Sequence, residues 1–116
     1  MTIRRVFVTP EVFPFTSGGI GRVIANIIMS MSREERASTL VLFVGTDVSR
    51  ARWQTLYPDV SLAKVTENEL RVTDANGRRF APRWAYPHEY HFTSVLVCQA
   101  LLDLVAAHPT IEHVEF

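Results

Sequence analysis

One cysteine, Cys98, stands in the whole chain, so an intrachain disulfide is excluded and a disulfide-stapled scaffold with it. It lies inside the apolar run around Val95–Leu102, where a thiol is expected to be a small inert core side chain. Excess charge is missing too: 12 basic side chains balance 12 acidic ones, which removes any overall field that would recruit nucleic acid or an anionic membrane surface. Arg71, Arg78, Arg79 and Arg83 do cluster, but Glu67, Glu69 and Asp74 lie among them, the pattern of a solvated hairpin face. No apolar run approaches the ~20 residues of a membrane span, and the one after Arg4-Arg5 is much shorter than a signal-peptide core. Together with the lone cysteine this predicts a cytoplasmic location. Glycine is scarce, with five residues, yet Gly18 and Gly19 are adjacent.

What is present suits one small α/β domain. At 116 residues, 47% of them apolar and 21% charged, the chain is long enough to bury a core and too apolar to stay disordered. Ile3 to Thr9 and Ser38 to Gly45 are continuous apolar, β-branched stretches, the mark of strands buried on both faces of a parallel sheet. Between them Ile20, Val23, Ile24, Ile27, Ile28 and Met31 recur at helical spacing and predict an amphipathic helix on the sheet. Asp47 is placed to cap a further helix over Arg50 to Leu56, broken at Pro58. Val60 to Val65 reads as a third strand. Asn76-Gly77 marks an inserted β-hairpin over about 69–81, because a type I′ turn needs two residues that accept positive φ. After Pro82 and Pro87, Glu89 to His108 is a long helix with Phe92, Val95, Leu96, Leu102 and Val105 on one side and Leu101 and Leu104 widening it, so it should be well covered. Ile111 to Phe116 begins another strand. The expected fold is a Rossmann-like parallel sheet flanked by helices.

Gly18 and Gly19 fall between the first strand and the first helix, where backbone N–H groups and the helix dipole favour an anion such as a pyrophosphate. Absent side chains let such a ligand approach closely. The dinucleotide fingerprint is not met: Gly19 and Gly21 supply its first two glycines, Ile24 stands at the third, and the loop from Pro10 to Gly18 is too long for its tight turn. A Walker lysine is lacking as well. A purely structural role, a helix start with unusual φ or close packing, explains the spacing equally well.

Glu11-Val12-Phe13-Pro14-Phe15 followed by Gly18-Gly19-Ile20-Gly21-Arg22-Val23 resembles the opening of the GT-B glycosyltransferases of the glycogen/starch synthase and family-4 type. Those enzymes begin with a strand, an E-x-x-P-like segment, a Gly-Gly loop and an amphipathic helix. Val114-Glu115-Phe116 is similar to the strand that leads into their acceptor-side loop. Thr16 stands where glycogen synthases carry a lysine, and the loop is one residue shorter, a departure that the broader family-4 pattern tolerates. The resemblance implies that residues 1–116 are a partial N-terminal, acceptor-side domain, an incomplete half of a GT-B fold. It implies that Gly18, Gly19 and Arg22 face the donor diphosphate of a nucleotide sugar, and that Glu11 and Glu115 contact the acceptor. Arg22 in the first helical turn can equally be a solvated residue. The C-terminal Rossmann-like domain that carries most donor contacts, and the family's histidine-bearing loop, are expected to lie outside this chain, so the isolated chain is expected to be inactive. No cofactor is implied.

Other constellations give no self-contained catalyst. His88-Glu89-Tyr90-His91 places its histidines three apart rather than the four of a zinc helix, with no third ligand near in sequence. Ser17 lacks a nucleophile elbow and Cys98 an activating neighbourhood. The competing reading is a non-catalytic α/β module that binds a small anion or docks a partner protein.

Overall fold

The computed structural model describes residues 2–44, 48–65 and 89–116, the last segment with side chains from residue 93 onward. Eight elements follow in the order β1 (Arg5–Thr9), α1 (Gly19–Ser30), α2 (Arg33–Ala37), β2 (Thr39–Phe43), α3 (Arg50–Leu56), β3 (Ser61–Lys64), α4 (Glu89–Ala107) and β4 (His113–Glu115). The hairpin expected over about 69–81, and with it the arginine cluster, lies outside the described residues.

The strands form one sheet in the order β3-β2-β1-β4, and every pair is parallel. Phe7 lies opposite both Val41 and Glu115, and Val41 opposite Leu62. Because side chains alternate across a strand, the continuous apolar runs supply two faces at once. Phe7, Val41 and Phe43 point to the side covered by Ala25 and Ile28 of α1 and Trp53 of α3. Val6, Val8, Leu40 and Leu42 point to the other, where Leu96 and Ala100 of α4 lie. Helices therefore cover both faces, and the architecture fits the expected Rossmann-like α/β fold.

Local chemistry sets the helix ends. Ser32 and Glu35 form a reciprocal capping box that starts the short α2, a helix the sequence reading passes over. Thr39 Oγ1 then donates to the Glu35 carbonyl at 2.7 Å and ties α2 to β2. For α3 the cap is Ser49, whose side chain accepts the Arg52 N–H; Asp47, expected in that role, lies outside the described residues. Both residue types accept such a bond, but only Ser49 immediately precedes the helix. The Trp53 indole N–H donates to the Val60 carbonyl at 2.8 Å and fastens α3 to the segment that enters β3.

Three expectations about faces are corrected. The buried stripe of α1 is Gly21, Ala25 and Ile28, with Ile24 and Ile27 partly buried, whereas Ile20 is 60% exposed and Val23 faces solvent with it. The helix is rotated toward its small residues, because Gly21 lets the chain ahead of it approach closely. On α4, Leu96 and Ala100 are buried but Leu102 and Val105 are exposed, so this helix is less covered than its composition suggests. Cys98 is exposed rather than in the core; two positions from each of Leu96 and Ala100, it falls on the opposite side of the helix from them.

Candidate glycine-loop site

The sheet order decides where a ligand crevice can form. From β1 the chain passes through α1 to β2 and β3 on one side, then returns through α4 to β4 on the other side of β1. Connections leaving the carboxyl ends at such a reversal diverge to opposite faces of the sheet and leave a crevice between them. Residues 10–18, which join β1 to α1, start at that point.

The segment is built from the end of β1 upward. Thr9 is buried, and its hydroxyl donates to the Glu11 carbonyl at 2.7 Å and accepts the Glu11 N–H at 3.1 Å, which turns the chain sharply after the strand. The Thr16 N–H donates to the Val12 carbonyl, and the Phe13 N–H to the Gly21 carbonyl, so the turn lies on the first turn of α1. Tyr57 adds a third tie by donating its hydroxyl to the Phe13 carbonyl. Burial raises the Tyr57 pKa above its ordinary value.

Each glycine near this turn has its own surroundings. A Cβ on Gly18 would fall 1.3 Å from Oε1 of Glu11, so the carboxylate occupies the space a side chain would need. At Gly21 a Cβ would meet the Val12 and Phe13 backbone nitrogens and Thr16 Oγ1, all at 3.1 Å, which leaves little room for anything but glycine. Gly19 is different: apart from its chain neighbours and the backbone of its own helix, no atom of the described residues lies within 4 Å of its Cβ position. None of the three has positive φ, and Gly18, the N-cap, is extended at φ −75° and ψ 157°. Unusual backbone conformation is therefore not what these glycines supply. Close packing explains Gly18 and Gly21; it does not explain Gly19.

The electrostatics at this end of α1 are simple. Gly18, the N-cap, has no side chain to accept a hydrogen bond, and among the described residues no side chain accepts from the first-turn N–H groups, the positive end of the dipole. Glu11 brings a carboxylate alongside Gly18, a favourable placement for the helix and an unfavourable one for a second anion at the same spot. The open approach is on the Gly19 side. Arg22 is exposed, and its guanidinium lies 4.7 Å from the centroid of the Phe13 ring, held over the turn by a cation–π contact. Thr16 Oγ1 is buried and has no hydrogen-bond partner among the described residues.

Glu115 does not join this group. The register places it beside Phe7, short of the Thr9 end of β1, and its Oε1 lies 2.7 Å from Nε2 of the neighbouring His113. The structure thus brings Glu11, Gly18, Gly19 and Arg22 together around one turn and leaves Glu115 on β4. The sequence reading missed Thr9 and Phe13, although a threonine that ends a strand and stands before a proline is a turn signal. His88 and the side chains of Glu89, Tyr90 and His91 are outside the described set, and no cluster of metal-ligating side chains occurs among the described residues. No helix among them is long and apolar enough to cross a membrane.

An apolar groove lies on the α4 side of the same edge. It has a volume of about 710 Å³ and is walled by Val8, Val44, Leu101, Val105 and Phe116, with Cys98 at its side. Such a wall offers almost nothing to a phosphate, so this groove and the glycine turn are chemically distinct. Comparison of the chain with protein-family models, with curated proteins and with solved structures yields no match, so a functional reading rests on the turn's geometry and on the resemblance of its residues.

Proposed function

We propose that this chain is the N-terminal, acceptor-side part of a retaining GT-B glycosyltransferase that transfers a sugar from a nucleotide-sugar donor to an acceptor. The observation that carries the reading is Gly19: it opens α1 at the sheet reversal, nothing described packs against it, and packing gives no reason for a residue that forms helix poorly. Close approach of a diphosphate to uncapped backbone N–H groups supplies that reason. In this reading Gly18 seats Glu11, Glu11 serves a hydroxyl-bearing acceptor, and Arg22 adds positive charge behind Gly19. Most donor contacts come from a C-terminal Rossmann-like domain, and a single exposed cysteine fits a cytoplasmic enzyme.

The isolated chain then has too few donors to offset the freedom a ligand loses on binding, a cost of about 4 kcal/mol or more. Calorimetric titration of the chain with uridine and adenosine diphosphate sugars should give no detectable heat of binding, whereas a full-length protein containing this segment should transfer sugar. Micromolar binding by the chain alone, or a full-length protein without transfer activity, would overturn the proposal.

A second reading has its own support. Leu102 is 60% exposed beside the apolar groove, which favours a module that docks a partner protein. Leu102→Lys should then abolish partner capture and leave sugar transfer at zero; in the transferase reading it leaves the donor chemistry of the glycine turn untouched.

A further inference from the structure

No further inference is drawn: the strongest candidate, the apolar groove that Val8, Val44, Leu101, Leu102, Val105 and Phe116 line between α4 and the carboxyl ends of β1 and β2, carries none because nothing in the structure shows what covers it.

Discussion

The Glu11 carboxylate fills the place of a Gly18 side chain, with Oε1 1.3 Å from where the Cβ would stand. Gly18→Ala must therefore turn the carboxylate away and also replace glycine by a poor N-cap residue, a combined cost of about 1 kcal/mol. In a Glu11→Ala background the steric part vanishes. A double-mutant cycle read by urea denaturation should give a coupling above about 0.5 kcal/mol, the level below which independent sites usually add. Strict additivity would mean that the two residues do not touch.

Gly19 and Gly21 should respond to alanine with opposite sign. At Gly21 the new methyl meets two backbone nitrogens at 3.1 Å, and backbone gives way poorly, so a loss of about 1–3 kcal/mol is expected. At Gly19 the methyl enters open space and reduces the freedom of the unfolded chain, so stability should hold or rise by up to about 1 kcal/mol. Thermal melts of the two variants decide the matter; equal destabilisation would contradict the different surroundings of the two glycines.

Trp53 holds one side of the core. It is 1% exposed, stacks near Phe15 and Tyr57 and donates its indole N–H to Val60. Trp53→Phe keeps much of the apolar volume but leaves that carbonyl without its donor, at a cost of about 1–3 kcal/mol. Trp53→Ala adds a cavity and should cost about 3–5 kcal/mol, enough to unfold a marginal domain. Far-UV circular dichroism in urea should rank wild type, Trp53→Phe and Trp53→Ala in that order.

Tyr57 should make stability fall at high pH. Its folded pKa lies above the unfolded one, so the folded state binds the extra proton, and its contribution is complete below about pH 10. Stability is lost as the pH rises from there through the folded value. Tyr57→Phe forgoes the hydroxyl bond to Phe13 but removes this part of the alkaline decline. Urea midpoints between pH 8 and the alkaline limit should converge for the two proteins; parallel curves would count against the role given to burial.

What the sequence shows and what it hides divide along physical lines. β1, β2 and α1 are legible because each has a period or a continuous apolar run that one packing geometry explains. The direction in which α1 faces is not, since Ile20 and Val23 continue the apolar pattern while the fit of Gly21 against Val12 and Phe13 rotates the helix toward smaller residues. The start of α2 was readable from Ser32 and Glu35, three positions apart, but five residues carry no apolar period. Ser49 caps α3 because it stands immediately before the helix, a position that residue type alone does not reveal. At the glycine turn the residue types were visible, whereas the contact between Glu11 and Gly18 depends on a chain reversal that no local pattern encodes.

The most direct test of the proposed function is Gly19→Val in a full-length protein that contains this segment, with transfer rate and melting temperature measured on the same preparation and Gly19→Ala alongside. The Cβ position is open and φ is not positive, so valine should fold with a change of about 1 kcal/mol or less, a shift of a few degrees. Its branched side chain would stand where the diphosphate approaches, and turnover should fall by more than about tenfold, with alanine in between. A Gly19→Val protein that folds and transfers sugar at the wild-type rate would contradict the account.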